Sequence, residues 1–333
     1  MSVVLGIEST AHTFGIGIVK EGEILANEKD SYITETGGII PTEAAKHHEK
    51  IADEVYFRAL KVAGINEKDI NAIAFSQGPG LSPCLLFGLK FTKKLALRLK
   101  IPIVPVNHCI AHLEIGKITG AKNPVLLYCS GANTQIIAYA GGKYRIFGET
   151  LDIGVGNFID TFARYAGIGF PGGPKIQELA KKASANEKNY IPLPYSVKGM
   201  DVAFSGMLTK LRQLLESGKY KLPELAFSLQ ETAFAMLVEA AERALAHTQK
   251  NELLLGGGVA CNSRLQEMCR IMCEERGAKF FVPPNDLLVD NGAFIAFLGE
   301  IMYKAGIKVQ GKDIDKLDIK PRERTDEVNV KWK

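Results

Sequence analysis

Two stretches of the chain, VLGIESTAHT at residues 4–13 and VLLYCSGANT at residues 125–134, align without a gap at an offset of 121 residues. Five of the ten aligned positions are identical, and both stretches contain an apolar segment, a turn of small polar residues and the start of a second segment. In each copy a glycine-containing turn, at residues 20–22 and 141–143, then leads into a third segment. Segments separated by such turns are typical of β-hairpins. The repeat therefore predicts two units of the same strand topology.

Helices and strands alternate after each copy of the hairpin, which favours two packed α/β units. We expect a first domain at residues 1–122, a second at 123–310, and a charged, partly mobile tail at 311–333. The predicted helices cover residues 42–63, 82–99, a segment from about 107, 156–166, 175–183, 222–248, 262–275 and 291–305, and the predicted strands cover 70–76, 103–106, 252–255 and 280–282.

Length and composition are those of an ordinary globular protein. The 333 residues exceed what one core usually organises, and 46% hydrophobic residues supply enough apolar side chains for two cores. The net charge of +4 is too small to indicate a nucleic-acid partner by itself. We find no signal peptide and no apolar run of about 20 residues, so we expect a cytoplasmic protein that does not span a membrane. Six cysteines without a C-x-x-C pair indicate buried free thiols in a reducing compartment.

The turn of the second hairpin suits a phosphate group, because consecutive backbone N–H groups in a turn of small residues bind phosphate oxygens. Gly131 and Ala132 allow a close approach, and the hydroxyls of Ser130 and Thr134 can add hydrogen bonds. Residues 256–258, all glycine, leave bare backbone for a flat ring, and Asn262 begins the next helix within reach of a ribose or base. One such turn is a weak signal. Two copies with a triple glycine predict a duplicated actin-like fold (ASKHA, ribonuclease H-like), with a nucleotide cleft between two domains.

A pair of histidines is the candidate metal site. His108 and His112 lie four residues apart, which places both imidazoles on one helix face and suits two ligands of one metal ion. The segment lacks the glutamate that acts as general base in His-Glu-x-x-His metalloproteases. Asp290 is a candidate third ligand, but the sequence does not place it beside the histidines, so an incidental pair stays open. We interpret His47 and His48 as part of a solvated helix face.

Seven motifs carry a resemblance that covers nearly the whole chain. They are GIESTAHT (6–13), IIPTEAAKHH (39–48), GPGL (78–81), NHCIAH (107–112), CSGANTQ (129–135), GMDVAFSGMLT (199–209) and GGGVACN (256–262). In this order they resemble the universal tRNA threonylcarbamoyladenosine synthase family, once labelled a sialoglycoprotease. Tyr128 and the ending at residues 321–332 are similar to its archaeal and eukaryotic-cytosolic branch.

The resemblance implies one reaction, an acyl transfer to tRNA. The threonylcarbamoyl group of threonylcarbamoyl-AMP, which a separate synthase supplies, passes to the N6 amine of the adenosine 3′ of the anticodon in tRNAs that read codons beginning with A. The resemblance also implies partners for this branch, a KEOPS-type complex with a small kinase-like ATPase, a dimerising subunit and a tRNA-binding subunit.

The resemblance further implies site residues, position by position. One divalent metal ion, with Fe²⁺ favoured and Zn²⁺ as the alternative, has the ligands His108, His112, Tyr128 and Asp290. The adenine nucleotide is substrate or ligand, and its phosphate lies against residues 128–132, the phosphate loop. That loop and the ribose- and adenine-contacting positions comprise Tyr128, Cys129, Ser130, Gly131, Ala132, Asp160, Gly173, Gln177 and Asn262.

Three residues depart from the family pattern. Ala132 replaces a usual glycine, Gln177 a usual glutamate and Ala203 a common serine, so we expect somewhat altered nucleotide affinity. Two other functions stay open. A sugar or acetate kinase of this fold would need a catalytic aspartate near the first hairpin, where the sequence has Glu8 and His12. The other alternative is a nucleotide-binding scaffold without catalysis.

Overall fold

Two five-stranded sheets of matching topology form the framework, and the computed structural model describes residues 2–34, 38–184 and 189–333. The strands are β1 (Val3–Glu8), β2 (Thr13–Lys20), β3 (Glu23–Ser31), β4 (Ala72–Gly78), β5 (Ile103–Asn107), β6 (Val125–Cys129), β7 (Thr134–Ala140), β8 (Lys143–Glu149), β9 (Val197–Lys198), β10 (Asp201–Val202), β11 (Glu252–Gly256) and β12 (Lys279–Phe281). The sheet orders are β3-β2-β1-β4-β5 and β8-β7-β6-β11-β12, while β9 and β10 form a small ribbon. In each sheet three antiparallel strands are followed by two parallel ones. The repeat and the duplicated actin-like fold are confirmed.

Helices cover both faces of each sheet, and apolar side chains cluster in three layers. The helices are α1 (Pro41–Ala63), α2 (Ser82–Leu99), α3 (His108–Glu114), α4 (Val155–Tyr165), α5 (Gly173–Ala183), α6 (Ser205–Glu216), α7 (Leu222–Thr248), α8 (Ser263–Arg276), α9 (Asn285–Leu288) and α10 (Gly292–Lys304). The first sheet packs on α1 and α2 on its outer face, the second packs on α4 to α8, and α3 and α10 lie between the two sheets. None of the helices in the described part of the chain could span a membrane.

The predicted helices and strands are confirmed with small differences at their ends, and α2 and α7 have the predicted bounds. Helix α6 was not predicted. Its first turn is capped from a distance, because the Asp152 carboxylate accepts hydrogen bonds from the N–H groups of Phe204 (2.9 Å) and Ser205 (2.8 Å). Because Asp152 lies 52 residues before Phe204 in the chain, the cap leaves no signal in the sequence next to the helix.

Helix α10 lies directly on the first sheet because glycines face each other at the contact. A methyl group added at Gly17 would lie 2.2 Å from the Ala293 nitrogen, and one added at Gly292 would lie 2.0 Å from the Gly17 nitrogen. The close approach brings the loop before α10 to the end of β1. Since α10 packs on the first sheet although it follows the second in sequence, the division into 1–122 and 123–310 stays a prediction.

Residues 311–333, for which the sequence predicts a partly mobile tail, make packed contacts with the rest of the chain. Val328, Val330 and Trp332 pack against the apolar layer between the sheets, and the Gly80 N–H donates to the Pro321 carbonyl at 3.1 Å. These three apolar residues alternate with polar and charged residues, so the segment has no apolar run in the sequence that would indicate packing.

Candidate metal centre and phosphate loop

Helix α3 carries the histidine pair at the end of β5. The Asn107 side chain accepts a hydrogen bond from the Ile110 N–H at 3.2 Å and so caps the helix. The two imidazole rings lie on one face, with centroids 4.8 Å apart, and every residue of the helix is buried. The four-residue spacing of the histidines therefore places both imidazoles on one helix face, as predicted from the sequence.

Asp290 reaches both histidines from the loop before α10. Its Oδ1 atom lies 3.4 Å from His108 Nε2 and 3.6 Å from His112 Nε2. The Asn291 side chain caps α10 by accepting from the Phe294 N–H at 3.0 Å, which fixes the loop beside α3. The fold thus brings together three ligand atoms that all lie within 4.8 Å of one another.

The donor set fits a metal ion. Two ligands that are about 2.1 Å from one ion at a tetrahedral angle are roughly 3.4 Å apart, close to the distances observed here. Neither ring nitrogen of His112 nor the Tyr128 hydroxyl has a hydrogen-bond partner in the described residues, although all three atoms are buried. Buried polar groups are normally paired. The Tyr128 ring centroid lies 5.0 Å from that of His112, so Tyr128 belongs to the same cluster of buried side chains.

Glu8 is a site residue that the sequence interpretation did not assign to the histidines. Its Oε2 atom lies 3.0 Å from His108 Nδ1, on the side of the ring away from Asp290, and its side chain is fully buried. A carboxylate in this position fixes the ring orientation and tautomer of a metal-binding histidine. The signal was a charged residue at the end of the apolar strand β1, where an unpaired carboxylate would be costly.

The carboxylates of Glu8 and Asp290 favour the protonated, positively charged form of His108 between them. Burial lowers the pKa of His108, but Glu8 and Asp290 outweigh burial and raise that pKa well above its ordinary value. Burial raises the pKa of Asp290, but the neighbouring His108 and His112 hold it well below its ordinary value. For His112 burial dominates and lowers the pKa, which favours the neutral, metal-binding form.

The phosphate loop follows directly on Tyr128 at the end of β6. Gly131 and Ala132 are exposed, and within the described residues no hydrogen bond uses their N–H groups. Gly257 packs against the loop, where an added methyl group would lie 2.4 Å from the Cys129 carbonyl oxygen, and its φ of +88° also favours glycine. The middle residue of the triple glycine therefore supports the phosphate loop.

The remaining predicted nucleotide contacts form two small groups. Asp160 accepts a hydrogen bond from the Gly172 N–H at 2.8 Å, which places it at the start of α5 beside Gly173. Gln177 donates to Ser263 at 3.3 Å and so lies next to Asn262. The Asn262 side chain caps α8 and also donates to Gln230 at 2.9 Å, and this second contact was not expected.

The interpretation of His47 and His48 as a solvated face is wrong for His48. This side chain is fully buried, and its Nε2 atom lies 3.0 Å from the Ala11 carbonyl in the first hairpin. His47 is partly buried and pairs with Asp30 at 2.8 Å. The cysteine prediction is confirmed for five residues, which are buried free thiols, while Cys261 is partly exposed.

Comparisons with known proteins point to one family. The family model described as tRNA N6-adenosine threonylcarbamoyltransferase matches residues 23–297. A relative of that description from Thermococcus kodakarensis is 56% identical over 330 residues, which are 99% of this chain and 99% of that protein. A relative from Methanosarcina acetivorans, described as a probable bifunctional tRNA threonylcarbamoyladenosine biosynthesis protein, is 53% identical over 99% of this chain and 59% of its own length.

Among solved structures, the chain is similar to HypF of T. kodakarensis. The TM-score is 0.61 at 15% identity, and the match covers 95% of this chain and 49% of HypF. At this level of identity the likeness concerns the fold alone.

Proposed function

The chain belongs to the tRNA N6-adenosine threonylcarbamoyltransferase family and transfers a threonylcarbamoyl group to the N6 amine of an adenosine in tRNA. From this premise we propose that catalysis depends on one metal ion, whose ligands are His108, His112, Asp290 and Tyr128. The observation that carries this proposal is the convergence of three ligand atoms around buried, unpartnered His112 nitrogens.

We favour Fe²⁺ as the native ion, with Zn²⁺ as the alternative, since two imidazoles, a carboxylate and a phenolate suit either metal. When bound, the ion would hold the threonyl end of the donor and polarise it as a template and Lewis acid. Glu8 orients His108 through its Nδ1 atom, and Phe294 stacks on His112 at 4.4 Å between ring centroids.

The phosphate loop binds the adenylate in this proposal. In this proposal the N–H groups of Gly131 and Ala132, which have no hydrogen-bond acceptor in the described residues, bind the phosphate of threonylcarbamoyl-AMP. Asp160, Gly173, Gln177 and Asn262 would contact the ribose and adenine. The donor is a mixed anhydride, so the enzyme need not supply a nucleophile. As the tRNA amine attacks the carbonyl carbon and AMP leaves, the N–H groups stabilise the negative charge that develops on the phosphate. Alignment of the amine in the cleft supplies the remaining rate enhancement, and no general base is assigned.

A kinase mechanism has little support from the first hairpin. The Glu8 carboxylate is engaged by the Thr10 N–H at 2.7 Å and by His108. It is therefore not free to bind Mg²⁺ or to activate a hydroxyl group.

We also propose that the chain works in the cytoplasm with a small kinase-like ATPase, a dimerising subunit and a tRNA-binding subunit. The longer M. acetivorans relative is described as bifunctional, which supports a second functional unit beside this one. Exposed apolar side chains on α1 (Phe57, Val62) and α2 (Leu86, Leu97) offer a surface for a partner.

The experiment is a tRNA-labelling assay with the purified chain, tRNA, a threonylcarbamoyl-AMP synthase, bicarbonate, ATP and radiolabelled threonine. We expect wild type to label tRNA, and His112→Ala to lose both label and bound metal. His247→Ala, which removes an exposed histidine on α7, is the matched control and should keep both. Full labelling by metal-free His112→Ala would refute the metal proposal while leaving the transferase activity intact.

A further inference from the structure

Residues 318–333, here called the strap, cross from the first sheet to the second along the metal-bearing helix. At the start of the strap, the Lys320 N–H donates to the Gln77 carbonyl at 2.8 Å, next to the end of β4. The fit is close, since a methyl group added at Gly78 would lie 1.9 Å from the Lys320 carbonyl oxygen. Farther along, Arg324 pairs with Glu149 of β8 at 3.3 Å. The strap therefore joins the two halves of the fold.

The strap contacts the first turn of α3 through Glu323. The Asn107 side chain, whose oxygen caps α3, donates from its nitrogen to Glu323 Oε2 at 3.0 Å. Glu323 consequently fixes the orientation of the capping amide, one residue before His108.

The strap also contacts the last turn of α3 through Lys333. Glu114 is fully buried, and its carboxylate lies 3.5 Å from Lys333 Nζ while also contacting Tyr144 and Lys117. The Lys333 ammonium lies over the rings of Tyr139 and Tyr144, at 4.2 and 4.8 Å from their centroids. A buried carboxylate that loses a cationic partner is destabilising. Glu114 follows His112 by two residues, so its position is tied to that of the ligand.

We propose that Glu323 and Lys333 are positioning residues that hold the two ends of α3 and thereby set the affinity of the metal centre. The inference rests on the proposed metal site. A seven-residue helix has little stability of its own, so its geometry depends on what packs around it. Ligands displaced by a fraction of an ångström bind metal more weakly.

The test is a titration of metal-free protein with Co²⁺, followed by the visible absorption of the tetrahedral ion. We expect Lys333→Ala and Glu323→Gln each to weaken Co²⁺ binding about tenfold, the lower end of the loss that follows removal of supporting residues around a metal site. Lys333→Arg keeps the cation and should bind like wild type. Lys331→Ala, at an exposed lysine two residues earlier in the strap, is the matched control for loss of charge. Circular dichroism of each metal-free variant shows that it is folded at the temperature of the titration.

Three results would overturn the proposal, and they differ in what else they overturn. Equal Co²⁺ affinities for wild type, Lys333→Ala and Glu323→Gln would remove the positioning role but leave the metal centre. If Lys331→Ala weakened Co²⁺ binding as much as Lys333→Ala does, the effect would come from the change in net charge and not from positioning of α3. Absence of Co²⁺ binding by wild type would refute the metal centre together with the strap proposal.

Discussion

The two hairpins share their strands but differ in what their turns do. In the first copy, residues 8–13, the Thr10 carbonyl accepts the Leu81 N–H at 2.7 Å and the Ala11 carbonyl accepts the His48 imidazole at 3.0 Å. In the second copy, residues 129–134, the Ser130 and Gly131 carbonyls accept the N–H groups of Gly156 at 3.1 Å and Asn157 at 2.9 Å. The Gly131 N–H has no acceptor in the described chain, whereas the Thr10 N–H at the aligned position donates to Glu8 at 2.7 Å. Gly131 and Ala132 are exposed, while Thr10 is buried and Ala11 partly buried.

This difference indicates a division of labour between two copies of one structure. The first turn is packed from several sides, and its carboxylate at Glu8 faces the metal-binding His108. In the second turn Gly131 and Ala132 are exposed, and the turn follows directly on Tyr128 of the buried cluster. The repeat thus accounts for the fold, while under the proposed function the divergence of the turns separates support of the metal site from binding of the phosphate. Variants in each turn should affect one property without the other.

Gly257→Ala should have the largest effect, because it disturbs the support of the second turn. The added methyl group meets the Cys129 carbonyl at 2.4 Å and the Ser130 nitrogen at 3.0 Å, so the phosphate loop must shift. A displacement of this kind lowers kcat/KM for tRNA labelling about 100-fold. Gly277→Ala is the matched control: its φ of +67° is similar, but an added methyl group meets nothing within 4 Å. Similar activities of the two variants would contradict the supporting role of Gly257.

Glu8→Gln tests the first turn. The amide is similar in size but has no charge to pair with His108 Nδ1, so we expect metal affinity to fall roughly 10- to 100-fold. AMP affinity, measured by calorimetry, should stay near the wild-type value because the phosphate loop is unchanged. The control is Glu23→Gln, at an exposed carboxylate on β3. A loss of AMP binding that matches the loss of metal would show that the two turns do not act separately.

Patterns that depend on neighbouring residues could be predicted from the sequence, whereas contacts between distant residues could not. The bounds of α7 and the spacing of His108 and His112 follow from local periodicity, and the repeat follows from direct comparison of two stretches of the chain. The third ligand, Asp290, depends on α10 crossing to the first sheet, which facing glycines on β2 and α10 permit. Glu8 lies beside His108 because β1 and β5 both border β4 in the first sheet, and the strap packs through contacts with residues far earlier in the chain. Each of these contacts joins elements far apart in sequence, where local patterns carry no distance information.

The packing of the first turn also predicts a pH dependence of stability. Burial lowers the pKa of His48 to about 4, so the folded chain resists protonation that the unfolded chain accepts near pH 6.5. The free energy of unfolding therefore falls as the pH drops from 6.5 toward 4, and His48 accounts for about 2 kcal/mol of the change between pH 7 and pH 5. Urea unfolding should show that the free energy of unfolding of His48→Gln decreases by about 2 kcal/mol less than that of wild type between pH 7 and pH 5. His247→Gln, at an exposed histidine, should show the full wild-type decrease.

The smallest expected effect compares aligned positions of the two turns. Ala132 and Ala11 occupy the same place in the repeat, but Ala132 is exposed beside the open N–H groups, whereas the Ala11 carbonyl is bonded to His48. Ala132→Gly removes a methyl group from the phosphate loop and should tighten AMP binding about two- to fivefold, since glycine allows a closer approach of the backbone. Ala11→Gly should leave AMP affinity unchanged. Calorimetric titration of both variants with AMP measures these affinities. Equal changes in AMP affinity for the two variants would place both turns at the nucleotide. Weaker AMP binding by Ala132→Gly would mean that the alanine favours binding by making the loop more rigid.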